Sequence, residues 1–142
     1  MKRKAIAEWR GDLKTGKGTL TTESGVLEGA RYSFTTRFEG EKGTNPEELV
    51  AAAHAGCFTM ALSAELGKAN LVAESLRTTA VVSLEKAADG WSITESALDL
   101  VARIPGASEE TFRAAAASAE ANCPLSKLLK AKITLTARLE TP

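Results

Sequence analysis

Two cysteines, one histidine and an arginine at the end of an aromatic run are the residues of this 142-residue chain whose types and spacing suit chemistry. Cys57 lies in Thr44-Asn45-Pro46-Glu47-Glu48-Leu49-Val50-Ala51-Ala52-Ala53-His54-Ala55-Gly56-Cys57-Phe58. Cys123 lies in Ala121-Asn122-Cys123-Pro124-Leu125-Ser126. A cysteine becomes a nucleophile as the thiolate, and the thiolate needs positive charge or backbone N–H groups beside it. Pro124 suits the first position of a helix, so Cys123 falls where a helix N-cap would sit, facing unpaired N–H groups. The same Cys-Pro arrangement also occurs with no chemistry attached. Cys57 falls about 16 Å into its own helix at 1.5 Å per residue, beyond reach of the helix dipole. It reads either as a small core hydrophobe or as a nucleophile whose charge is matched from elsewhere. Arg37 is a candidate for that charge, against the alternative of a solvated surface arginine. His54, three residues before Cys57, reads as a packed or hydrogen-bonded histidine, with a general base as the other reading.

The segment that positions Cys57 has strong helix-start signals. Asn45 can cap, Pro46 suits the first turn, Glu48 occupies the capping-box position, and two carboxylates sit where the macrodipole favours them. Past this first turn the segment is apolar on nearly every side, and that composition predicts a long buried helix ending near Gly67 in a left-handed residue. Glu65 and Lys68 interrupt it as a membrane span.

Around it, residues 4–9 and 16–22 read as two strands. Residues 31–38, Arg31-Tyr32-Ser33-Phe34-Thr35-Thr36-Arg37-Phe38, read as a third, from their aromatic and β-branched content. Leu76, Thr78, Ala80, Val82 and Leu84 share one face of a fourth strand. Ala87-Ala88-Asp89-Gly90 turns into a fifth, Trp91 to about Ile104, whose apolar phase slips between Ile93 and Leu98 as at a bulge. Ser108 caps an alanine-rich helix, a short helix comes next over 125–130, and Ile133, Leu135, Ala137 and Leu139 alternate in a final strand. This order is α+β in one domain, residues 1–142.

Composition narrows the function. Eighteen basic residues balance eighteen acidic ones, so no charge excess points to nucleic acid or an anionic membrane. Two tryptophans, one tyrosine and four phenylalanines are too few to suggest a base-stacking platform. One histidine and two cysteines do not complete a four-ligand zinc site. The start, Met1-Lys2-Arg3-Lys4-Ala5-Ile6-Ala7-Glu8, lacks the apolar run of a signal peptide, so the expected compartment is the cytoplasm, where thiols stay reduced.

The run Arg37-Phe38-Glu39-Gly40-Glu41-Lys42-Gly43-Thr44-Asn45-Pro46-Glu47-Glu48-Leu49, continued by Ala52-Ala53-His54-Ala55-Gly56-Cys57-Phe58, resembles the signature of the OsmC/Ohr family. Ala121 to Ser126, Trp9-Arg10-Gly11-Asp12 and Gly16-Lys17-Gly18 resemble it too, and the Arg-Phe-Glu-Gly arrangement is similar to the osmotically inducible protein C branch. The resemblance implies an α+β fold of antiparallel sheets around a long buried helix, in an intertwined homodimer. It implies a thiol peroxidase that reduces organic hydroperoxides to alcohols without metal or cofactor. Cys57 matches the family's peroxidatic cysteine, Cys123 its resolving cysteine, Arg37 the arginine that stabilises the thiolate, and Glu47 the acid that holds that arginine. It further implies a Cys57–Cys123 disulfide reopened by an external dithiol, a lipoylated protein being one donor of that type. The other readings of the same residues are a thiol–disulfide exchange protein and a non-catalytic small-molecule binding module. Phe34, Phe38, Phe58, Met60 and Leu62 are candidates for an apolar pocket.

Glu47 and Cys57 stand ten residues apart, roughly 15 Å along one helix and about 80° around it. An arginine reaching both would be strained. The expectation is that Glu47 of one subunit meets Arg37 and Cys57 of another.

Overall fold

The computed structural model describes residues 1–141 and divides the chain into two compact units, Met1–Leu49 and from Val50 onward, with the boundary inside one long helix.

The first unit is an antiparallel sheet of β1 (Ala5–Arg10), β2 (Lys17–Thr22) and β3 (Ala30–Tyr32), with a short helix α1 (Phe34–Phe38) after it. Register explains one of its glycines. Gly18 pairs with Trp9 on one side and Tyr32 on the other, and the two rings close over it at 5.6 Å between centroids. A Cβ on Gly18 would lie 2.5 Å from Tyr32 and 2.7 Å from Trp9, so only a bare backbone fits.

The expected strand over 31–38 stops at Tyr32. Ser33 starts a capping box: its hydroxyl accepts the Thr36 N–H at 3.2 Å, and the Thr36 hydroxyl accepts the Ser33 N–H at 2.8 Å. The β-branched and aromatic run that suggests a strand is thus overridden by two local side-chain bonds. Phe34 and Phe38 then meet at i,i+4, with ring centroids 4.9 Å apart.

The long helix α2 spans Pro46–Lys68. Asn45 caps it, its side-chain oxygen accepting the Glu48 N–H at 2.8 Å. The left-handed residue after it is Asn70 (φ 56°), not Gly67, which stays helical; Leu71 N–H closes on the Leu66 carbonyl at 2.9 Å. The whole-helix burial expected from its composition is restricted to a stripe, His54, Phe58, Leu62 and Leu66, one residue per turn. Ala53, Gly56, Met60 and Ala64 are exposed. By length and composition α2 could cross a membrane. Its buried stripe instead belongs to the core of the second unit.

That unit contains β4 (Ser75–Ala87), β5 (Gly90–Arg103), α3 (Glu109–Asn122), α4 (Pro124–Leu128) and β6 (Lys132–Glu140). β5 is the centre of its sheet. It pairs antiparallel with β4, and parallel with β6 across the α3–α4 connection. The bulge lies where Ser83 faces Glu95 and Leu84 faces Ile93, leaving Thr94 as the extra residue. Beyond the bulge, Ser96, Leu98, Leu100 and Ala102 point inward at every second residue. Leu98, Leu100 and Ala102 pack with Phe58, Leu62 and Leu66 of α2 and with Phe112, Ala115, Ala116 and Ala119 of α3. Each fully buried Leu or Phe contributes about 1.5–3 kcal/mol. Cys123 is part of this cluster, and Cys57 packs against it.

Candidate active site

The residues singled out by their chemistry form two pairs, one in each unit. In the first unit, Arg37 stands one residue from the end of α1, and Glu47 lies in the first turn of α2. The Arg37 Nη2 is 2.6 Å from Glu47 Oε1, and its Nε donates to both carboxylate oxygens at 3.1 and 3.2 Å. Such a two-nitrogen grip fixes the plane of the guanidinium. The pair forms within one chain, which corrects the expectation that Glu47 meets the arginine of a second subunit. The reason is the α1 helix, where the sequence suggested a strand. It places Arg37 on a helical turn, and the Thr36 hydroxyl, 2.9 Å from the Thr44 carbonyl, ties α1 to the entry of α2.

The Arg37 guanidinium also lies over the Phe38 ring, 5.3 Å from its centroid. Trp9, Leu13, Phe34, Phe38 and Pro46 line a cleft of about 310 Å³ with Arg37 at its wall. Of the five candidates for an apolar pocket, only Phe34 and Phe38 belong to it. Phe58 and Leu62 are core, and Met60 is exposed. Trp9, which is not among those five candidates, also lines the cleft.

In the second unit, Cys57 and Cys123 are free thiols brought into one packed cluster, although 66 positions separate them. Cys57, on α2, is half-buried; Cys123 is wholly buried between α3 and α4. Burial pushes the Cys57 thiol up, and its hydrogen bond to Cys123 adds to this; only the Leu125 N–H opposes. Burial opposes the Cys123 thiolate as well. There it is outweighed by the hydrogen bond from Cys57, by the Ser126 amide and hydroxyl and by the Leu125 amide, which together hold Cys123 below the ordinary thiol range. Cys123 is the N-cap residue of α4 without closing a regular side-chain cap; its sulfur nonetheless lies among those donors.

His54 is fully buried, with its Nδ1 2.6 Å from Ser96 Oγ and its Nε2 2.9 Å from Ser126 Oγ. It is the hydrogen-bonded core histidine that its sequence position suggests. The two serines are not legible as its partners. Ser96 occupies an inward position of β5 where an apolar residue is the rule, and that break in the pattern is the available signal.

The family model for OsmC-like protein matches residues 39–138. The chain is 53% identical to peroxiredoxin OsmC of Escherichia coli (strain K12) over 139 residues, covering 98% of this chain and 97% of that one. Among solved structures, it superposes on the organic hydroperoxide resistance protein OhrB of Bacillus subtilis with a TM-score of 0.68 at 26% identity, covering 96% and 98% of the two chains. An OsmC-like protein of Vibrio cholerae shares the fold alone, with a TM-score of 0.78 at 18% identity, covering 97% and 99%. The chain belongs to the OsmC-like family.

Proposed function

We propose that the protein is a thiol peroxidase that reduces organic hydroperoxides to alcohols. The observation that carries this reading is that Cys57 packs against the core cluster holding Cys123, the two thiols close enough for each to act on the other's ionisation. Two free thiols in one packed cluster suit passage from sulfenic acid to disulfide. The names of the relatives, a peroxiredoxin and an organic hydroperoxide resistance protein, support it.

In the proposed reaction Cys57, the more accessible sulfur, attacks the terminal oxygen of the hydroperoxide as a thiolate. The O–O bond breaks, the alkoxide takes a proton to leave as alcohol, and Cys57 becomes a sulfenic acid. Cys57 does not hold the charge unaided, so the reading requires a cation. Arg37 supplies it and steadies the departing alkoxide, with Glu47 fixing its orientation. The Cys123 thiolate then attacks the Cys57 sulfur, forming the S–S bond and expelling hydroxide, which is protonated to water. An external dithiol reopens the bridge by exchange and is itself oxidised to a disulfide. No metal or other cofactor enters this sequence of steps. The apolar wall of the cleft at Arg37 suits an alkyl chain, each buried CH₂ contributing about 0.8 kcal/mol in preference to hydrogen peroxide.

The same reading takes both units as one OsmC-like domain, since the family match runs across their boundary. It takes the working form as a homodimer, supported by the exposed Ala53, Gly56, Met60 and Ala64 on α2, and its compartment as the cytoplasm. A general thiol–disulfide exchange role fits less well, because one of the two sulfurs, Cys123, is completely buried.

The test compares cumene hydroperoxide with hydrogen peroxide, with and without a dihydrolipoyl donor. Unsubstituted protein should consume one equivalent of cumene hydroperoxide without donor and turn over with it. Cys57→Ser should consume none, and Cys123→Ser should give the first equivalent but lose sustained turnover. An unchanged burst in Cys57→Ser would sink the assignment.

A further inference from the structure

The peroxidase steps leave His54, Ser96 and Ser126 unused, yet these residues form a continuous chain that ends in the first turn of the helix capped by Cys123. Ser96 comes from β5, His54 from α2, and Ser126 from α4. The two ring nitrogens are 2.6 and 2.9 Å from the two hydroxyl oxygens, and Ser126 stands three residues after Cys123, in the first turn of the helix that Cys123 caps. His54 and Ser96 are both fully buried, so water does not substitute for these partners.

We propose that Ser126 is a further catalytic residue, donating to the Cys123 sulfur, and that His54, anchored by Ser96, is the positioning residue that aims it. This rests on the reading of Cys123 as the resolving cysteine.

One set of proton positions satisfies every group when Cys123 is charged. The Ser96 O–H donates to His54 Nδ1. The Nε2–H donates to Ser126 Oγ. The Ser126 O–H, with its own lone pair so engaged, points at the sulfur. This order needs a neutral imidazole carrying its proton on Nε2. Burial keeps His54 neutral by holding its pKa below the ordinary histidine value, against the opposing charge of Glu120 from α3. An imidazolium would donate from both nitrogens and turn the Ser96 O–H away. The groups acting on the Cys123 sulfur itself are Cys57 and the Leu125 and Ser126 donors.

The arrangement serves both disulfide steps. A Cys123 thiolate stabilised by Ser126 attacks the Cys57 sulfenic sulfur and releases hydroxide. When the external dithiol attacks the more accessible Cys57 sulfur of the bridge, the same stabilisation makes Cys123 the better leaving group.

The test separates this from the peroxidase reading. In a Cys57→Ser background, Cys123 ionisation is tracked by the ultraviolet absorbance of the thiolate as pH rises. Ser126→Ala should move that ionisation upward by about one pH unit, the effect of losing one hydrogen bond to a charged group. Ser126→Thr, which keeps the hydroxyl, should restore it, and His54→Gln should move it upward by less. With both cysteines present, Ser126→Ala should slow disulfide closure about tenfold after the first oxidation, by the same lost bond. His54 is buried and its replacement disturbs the core, so the half-buried Ser126 carries the decision. If Cys123 in Ser126→Ala ionises as in the parent and closure keeps its rate, the relay is overturned. If the titration moves while unsubstituted protein shows no hydroperoxide burst, the peroxidase reading falls and the hydrogen-bond assignment stands.

Discussion

Arg37 and Glu47 are held in a two-nitrogen ion pair, with 2.6 Å from Nη2 to Oε1, by a helical turn and a helix start only eight residues apart in sequence. The arginine side chain is 37% exposed and the glutamate 11%, so solvent screens the pair and its worth to stability is small. Glu47→Gln should therefore lower unfolding free energy by less than about 1 kcal/mol in urea titrations. Peroxidase turnover should fall about tenfold, because an unfixed guanidinium no longer meets the developing charge in place. A loss of stability well above that figure with unchanged turnover would make the pair structural only.

Acid should destabilise the second unit through His54. Its folded pKa lies below the unfolded value of 6.5, chiefly from burial, so the unfolded chain binds the extra proton more readily. The stability this contributes is present above 6.5 and is lost as pH falls through the lower folded value. Urea midpoints measured from about pH 8 down to about pH 5 should fall in that window. In His54→Gln the histidine part of that slope should disappear, whatever the variant's stability at neutral pH.

Gly18 is closely covered by the Trp9 and Tyr32 rings. Gly18→Ala should destabilise by about 1–3 kcal/mol, the usual cost of overpacking. The near-ultraviolet circular dichroism of the Trp9–Tyr32 pair should weaken with it. Gly25→Ala, where added atoms meet nothing within 4 Å but φ is 78°, separates backbone strain from crowding and should leave that signal intact.

Met60 is 79% exposed on an otherwise small-residue side of α2. If this side is a subunit contact, as proposed, Met60→Glu should convert the dimer to monomer in sedimentation velocity. A dimer unchanged by that substitution would move the contact elsewhere.

Much of this protein is legible along the chain. The α2 start is written in Asn45-Pro46-Glu47-Glu48, because a cap, a proline at N1 and first-turn carboxylates act within one turn. The β4–β5 hairpin and β6 are equally plain, since alternation with period two reports burial on one face directly. The bulge near Thr94 shows as a slip in that alternation. The α1 segment is not legible, because its strand-like side chains are overruled by the reciprocal Ser33–Thr36 bonds and by the tie to Thr44.

The sequence by itself marked Cys57 and Cys123 as the candidate sulfurs, since the chain has two cysteines, and its resemblance to the family marked Arg37 and Glu47 among eighteen basic and eighteen acidic residues. Tertiary structure decided which of them meet. Cys57 and Cys123 come together because α2 and α3 pack on the same inward row of β5, a contact between segments far apart in sequence. The same packing brought two serines to the two nitrogens of His54, and no local pattern encodes hydrogen bonds that span 42 and 72 residues.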